Sequence, residues 1–278
     1  MIQQVRTAFP EASVRMVCET LGVSRSWYYE ALHRSPRTDD AELVIQIEQI
    51  VLAHPGYGYR RVTAELQRRG VPVNHKRVLR LMRQASLVWP VRRSVQTTRR
   101  DPSFRGYPNL VRHRRADGPN QIWVADVTYL HFPQGTGFLA CILDAWSRRC
   151  IGWALSDRLT TDLTEEALAS AIAARSPKPG LIHHSDQGVQ YANYRYLHCL
   201  RAIDAQVSMS AVATPTDNAL IESFFSTLKR EEVWLKEYQH VADAKAHLHH
   251  FLETEYNTER LHSSLGYRPP AEFEQVAR

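Results

Sequence analysis

No stretch of this 278-residue sequence is long and apolar enough to cross a bilayer; the longest candidate, 138–146, contains Asp144. The first ten residues do not follow the basic-then-apolar order of a secretory leader, so a cytoplasmic address is expected. Cysteine is scarce. Cys18, Cys141, Cys150 and Cys199 are scattered with no C-x-x-C pair, which argues against structural zinc and against a disulfide framework. No segment repeats at solenoid length, and the one biased stretch is rich in arginine. Apolar residues at 44% and charged residues at 23% exclude a disordered chain.

The charge is concentrated. Between residues 91 and 119 stand Arg92, Arg93, Arg99, Arg100, Arg105, Arg112, Arg114 and Arg115 against only Asp101 and Asp117. That surplus equals the whole formal charge of +6, so the remainder of the chain is balanced. Thr97, Thr98, Phe104 and Tyr107 lie among these arginines, side chains suited to phosphates and bases. A solvated tether and a nucleic-acid contact are both consistent with such a segment.

Periodicity divides the chain in two. The first third reads as helix: 13–21, a second helix capped by Ser24 and running through Trp27, Tyr28 and Leu32, then 41–53, 60–69 and 76–85, the last capped by Asn74. In that last helix Val78, Leu81 and Met82 form an apolar seam, and Lys76, Arg77, Arg80 and Arg83 occupy the other faces, as expected of an element that reads a DNA groove. Beyond the arginines, strands are expected at 121–132, 137–143, 149–155, 181–182 and 207–209, with helices at 163–174, 194–203, 217–234 and 241–256. A meander followed by alternating helices and strands predicts a five-stranded mixed sheet with helices on its faces. The expected domains are a helical segment (1–36), a helix–turn–helix domain (39–90), a basic linker (91–117) and the α/β core (118–278).

Three carboxylates fall where a carboxylate is expensive. Asp126 shares one face of its strand with Ile122 and Val124. Asp186 closely follows Leu181, Ile182, His183 and His184, and Glu222 lies on a polar helical stripe with Asn218 and Lys229. Taken singly, each has an ordinary reading as a cap, turn or solvated residue. Two strand acids and one helix acid, with no rival cysteine or serine constellation, suit hard cations such as Mg²⁺ or Mn²⁺. Two such ions can activate an attacking oxygen and steady a leaving one in phosphodiester chemistry.

The runs Trp-Val-Ala-Asp-Val-Thr-Tyr (123–129), His-Ser-Asp-Gln-Gly-Val-Gln-Tyr (184–191) and Asp-Asn-Ala-Leu-Ile-Glu-Ser-Phe-Phe (217–225) occur in order, with 35 residues between Asp186 and Glu222. With Tyr-Gly-Tyr-Arg-Arg (57–61), Val-Asn-His-Lys-Arg-Val (73–78) and Tyr-Asn-Thr-Glu-Arg-Leu-His (256–262), they make the chain resemble the transposases of bacterial insertion sequences that share the retroviral integrase core. The resemblance implies an RNase H-like fold preceded by an all-α helix–turn–helix region. It implies a metal site of Asp126, Asp186 and Glu222 holding two Mg²⁺ or Mn²⁺ ions, and strand cleavage and transfer at element ends. It further implies double-stranded DNA as partner (terminal inverted repeats and target), a homo-oligomer, and an upstream-reading-frame protein as partner or fusion in a bacterial, nucleoid-associated setting. The chain departs from the family pattern at 211–214, where Ala-Val-Ala-Thr replaces the usual basic residue and glycine.

DNA contacts are expected from Lys229, Arg60, Arg61, Lys76, Arg77, Arg80, Arg92, Arg93, Arg99 and Arg100, with support at the site from His184 and Asn218. Asp144, followed by Trp146, Ser147 and Arg148, reads as a turn residue. Glu231 and Glu232, farther along the Glu222 helix, are expected to tolerate glutamine. The alternatives are an RNase H-like nuclease that cuts without joining, and a helix–turn–helix regulator with a degenerate core.

Overall fold

The structure, a computed structural model, describes residues 13–20, 22–26, 29, 38–88, 107–133, 135–210 and 218–276. The expected helix through Trp27, Tyr28 and Leu32, the linker arginines 92, 93, 99 and 100, and the 211–214 departure lie outside the described residues. Among the described residues no helix is long and apolar enough to cross a membrane.

Helix α1 (Val14–Thr20) is followed by a three-helix unit: α2 (Thr38–Ala53), α3 (Tyr59–Arg68) and α4 (His75–Gln84). Gly70 ends the α3 segment at φ +80°, a conformation that a β-carbon would strain. Asn74 then caps α4 by accepting the Lys76 backbone N–H at 2.8 Å. Leu43, Ile47, Ile50, Val62, Leu66, Val78, Leu81 and Met82 close the core of this unit, and Leu261 from the far end of the chain joins them.

The second unit is a five-stranded sheet in the order β3-β2-β1-β4-β5. Its strands are β1 (Ile122–Phe132), β2 (Gly135–Asp144), β3 (Cys150–Ser156), β4 (Ile182–Ser185) and β5 (Gln206–Met209). The first three pair antiparallel, while β4 and β5 run parallel to β1. Side-chain alternation along β1 gives each face its own cover. Trp123 and Ala125 pack beneath α5 (Thr161–Arg175) and α6 (Tyr194–Ala202). Ile122, Val124 and Leu130 pack with Ile221, Phe224, Phe225 and Leu228 of α7 (Ala219–Glu231) and with Ala244 and Leu248 of α8 (Val241–His250). In this unit the five strands and the mixed sheet hold in order and type, and this is the RNase H-like arrangement.

Three features differ from the sequence expectation. Residues 107–117 are part of the expected linker, yet the Pro108 carbonyl accepts Met209 N–H at 3.4 Å and the Ser208 hydroxyl accepts Leu110 N–H at 2.9 Å. This stretch therefore runs along β5. The last expected helix changes pitch at Phe251 and continues as a wider π-helical turn, Phe251–Glu259. An unforeseen α9 (Pro270–Val276) packs back through Phe273 on Trp146, ring centroids 4.9 Å apart, and through Glu274 on Arg175.

Candidate active site

The parallel pairing of β1 with β4 ends where Ala125 lies opposite Ser185, so Asp126 and Asp186 each follow one member of that last paired couple. Neither aspartate is fully buried. The Asp126 carboxylate accepts the Val127 backbone N–H at 2.8 Å, and the Asp186 carboxylate accepts the Gly188 N–H at 2.9 Å. These local bonds orient each carboxyl against its own backbone. The loop after Asp186 is held in turn by Gln187, whose amide donates to the Ser210 carbonyl at 2.9 Å. Tyr191, buried behind the loop, senses both acids: burial raises its phenol first, then Tyr196, Asp126 and Asp186 add to the shift.

Glu222 lies on α7, which packs on β1 over the face that bears Asp126. The helix forms because Ile221, Phe224, Phe225 and Leu228 recur at helical spacing and bury against the strand. Lys229, two turns past Glu222, is half-buried; burial lowers its ammonium while Asp126 acts in the opposite sense. That coupling puts Lys229 within electrostatic reach of Asp126. Asn218 precedes the helix, buried, and its side-chain oxygen has no hydrogen-bond partner among the described residues. Among the described residues no three His, Cys, Asp or Glu groups are drawn together closely enough to hold a metal ion. The donor chemistry itself, carboxylate oxygens from β1, from the residue after β4 and from one helix, fits a hard divalent cation.

The histidines beside Asp186 have structural bonds. His184 is fully buried and shares hydrogen bonds with the hydroxyls of Ser208 at 2.9 Å and Ser210 at 3.2 Å, tying β4 to β5. His183 meets the Tyr196 hydroxyl at 2.9 Å, and burial pulls its pKa down to about 3, so it stays neutral. Asp144 is the turn residue its sequence suggested, accepting the N–H groups of Asn120, Trp146 and Ser147 at 2.7, 2.9 and 3.1 Å.

The basic candidates divide. Arg60 is exposed and lies 5.7 Å over the Tyr59 ring, and Lys76 is exposed on the first turn of α4. Arg77 and Arg80 instead both reach Asp40 of α2, at 2.6 and 2.8 Å. Arg61 turns toward Glu231, 3.4 Å away. Glu231 itself corrects an expectation. It is a nearly buried carboxylate held by Arg260 and Arg61, and Glu232 beside it accepts the Tyr238 hydroxyl at 2.6 Å, so neither is a tolerant surface acid. Sequence reading missed this because Arg61 lies 170 residues from its partner.

Residues 116–215 match the Integrase core domain family, residues 203–270 match a second Integrase core domain family, and residues 38–95 match the HTH-like domain. The chain is 38% identical over 250 residues to the "Transposase for insertion sequence element IS904" of Lactococcus lactis subsp. lactis (strain IL1403), covering 88% of this chain and 99% of that protein. It is 35% identical over 276 residues to the "Transposase InsF for insertion sequence IS3A" of Escherichia coli (strain K12), covering 95% and 94%. A third relative, the "Insertion element IS600 uncharacterized 31 kDa protein" of Shigella sonnei, is 34% identical over 265 residues, covering 93% and 97%. Among solved structures, a chain of the simian T-cell lymphotropic virus intasome superposes with a TM-score of 0.49 at 17% identity, covering 76% of this chain and 70% of that one.

Proposed function

The chain belongs to the insertion-sequence transposases with an integrase core, and from that premise we propose that Asp126, Asp186 and Glu222 are its catalytic carboxylates. The observation that supports this reading is the seating of Asp126 and Asp186 side by side just past the last paired residues of adjacent parallel strands, Ala125 and Ser185, with the helix that bears Glu222 packed on that face of β1. Val127 and Gly188 N–H groups orient the two aspartates, so their outer lone pairs keep a fixed direction.

The three carboxylates would hold two Mg²⁺ or Mn²⁺ ions, which when bound stabilise negative charge on attacking and leaving phosphodiester oxygens. Lys229, on the same helical stripe as Glu222 and in electrostatic reach of Asp126, receives a phosphate of the element end. His184 and Ser210 keep the strand ends in register and do not touch the reacting atoms. Exposed Lys76 and Arg60 contact DNA from the helix–turn–helix unit, and the linker arginines 92, 93, 99 and 100 follow the backbone. Arg77 and Arg80 contact it less directly, because each already answers Asp40. Two element ends must be brought together, so the working form is a homo-oligomer, joined in some settings by an upstream-reading-frame protein.

The reaction is cleavage and then joining, by in-line attack of water and of a 3′-hydroxyl at one site. Relatives that are transposases speak for joining over a nuclease or a regulator. The test is to incubate the chain with end-containing duplex DNA, with and without Mg²⁺. Cleaved ends and joined products should appear only with the cation; cleavage without any joined product would leave a nuclease instead.

A further inference from the structure

The helix that carries Glu222 is tied at its far end to the helix–turn–helix unit. Glu231 lies nine residues beyond Glu222, about 14 Å along the axis. Its carboxylate accepts two bonds from one guanidinium, Arg260 Nε to Oε2 at 2.6 Å and Arg260 Nη2 to Oε1 at 2.8 Å. Arg61 of α3 adds Nη1 to Oε1 at 3.4 Å from the other unit. Around this carboxylate the two units interlock. The Tyr57 hydroxyl accepts the Leu261 N–H at 2.8 Å, and the Arg61 guanidinium lies 5.6 Å over the Tyr57 ring. Gly56 approaches so closely that a β-carbon there would fall on the Glu231 side chain.

The two ends of α7 are held differently. At its start Asn218 makes no side-chain capping bond. Apolar packing along the helix resists lifting more than it resists small slides or rotations, whereas the nearly buried bidentate Arg260–Glu231 pair, to which Arg61 adds a single bond from the other unit, resists both. We propose that Glu231 and Arg61 form a positioning joint through which the helix–turn–helix unit sets the seat of α7, and thereby the reach of Glu222 toward Asp126 and Asp186. A displacement of about 1 Å at a reacting group costs on the order of a hundredfold in rate, so a small change at the joint is felt at the chemistry. Arg61 is then a positioning residue, not the phosphate contact its sequence suggested. This inference rests on the reading of Glu222 as catalytic.

The test compares Arg61→Gln, Arg61→Lys and Gly56→Ala with the unaltered chain and with Glu222→Gln, all full length, joining pre-cleaved end DNA. Rates at saturating DNA, per folded molecule, should fall about tenfold or more in Arg61→Gln and Gly56→Ala. Affinity and its salt slope should stay as they were, and Arg61→Lys should recover most of the rate. Gly56→Ala changes no charge, so its matching loss ties the effect to the seat of the Glu231 carboxylate. Unchanged rates in both variants, with Glu222→Gln inactive, overturn the joint and leave the carboxylate reading intact. Weaker binding with a flatter salt slope in Arg61→Gln makes Arg61 a phosphate contact and overturns it as well. If Glu222→Gln joins normally, the carboxylate reading fails and the joint falls with it.

Discussion

The two ends of the β1–β4 pairing treat carboxylates in opposite ways. At one end Asp126 and Asp186 are met by backbone N–H groups, with a half-buried lysine in electrostatic reach of Asp126. At the other, Asp144 lies in register with Trp123, 3.5 Å from the Arg175 guanidinium, and Glu274 closes the cluster with Arg175 at 2.6 Å and Arg149 at 3.0 Å. Arginine-answered acids hold the C-terminal helix to the sheet. The same residue type is structural at the arginine end and, on the reading proposed above, reactive at the other.

The largest effect should come from removing the reactive acids. Asp126→Asn and Asp186→Asn should each reduce cleavage and joining to background in an end-DNA assay, while binding to end DNA survives. Thermal stability should hold or rise slightly, because neighbouring like charges are relieved. Retained cleavage in Asp126→Asn would erase the distinction between the two ends.

Glu274→Gln should do the reverse. It leaves Arg175 buried without its main anion, for a loss on the order of 3 kcal/mol in denaturant unfolding, with the joining rate per folded molecule unchanged. A variant that stays stable but joins slowly would mean that the two clusters are not independent.

Acid should expose the structural end before it denatures the rest. Burial works to raise the Glu274 carboxyl, but Arg175, Ser147 and Arg149 hold it below its ordinary value of 4.5. Glu231 is likewise kept low by Arg260 and Arg61 against its own burial. A depressed carboxyl contributes stability that is complete above its unfolded value and disappears as pH falls through the folded one. Melting temperature should therefore decline below about pH 4.5, and less steeply in Glu274→Gln. An identical slope in that variant would remove Glu274 from the account.

The smallest change concerns the linker. Neutralising Arg92, Arg93, Arg99 and Arg100 should flatten the plot of log affinity against log salt by roughly 0.9 for each phosphate that is no longer neutralised. An unchanged slope would make these arginines a solvated tether.

Much of this was legible in the residues. Alternation in 121–132 and the helical recurrence of Ile221, Phe224 and Phe225 placed Asp126 and Glu222 on the right elements, because local burial patterns follow from local spacing. Asp144 declared itself through the turn after it. What stayed hidden was pairing at long range. Nothing near Arg61 names Glu231 as its partner, nothing near Arg80 names Asp40, and nothing near Glu274 names Arg175. A basic helix face and a set of structural ion pairs look alike until the partner elements are in place, so the expected DNA contacts were the least legible part of the site.

The claim that one three-carboxylate site performs the chemistry is tested most directly at Glu222, which lies on a helix while Asp126 lies on β1 and Asp186 just after β4. Glu222→Gln keeps the side chain's length and removes one anionic ligand. The measurement is the rate at which this variant joins pre-cleaved ends in Mg²⁺, with DNA affinity and melting temperature recorded alongside. The account predicts a loss of about a hundredfold or more with both controls unmoved; joining at a near-normal rate would contradict it.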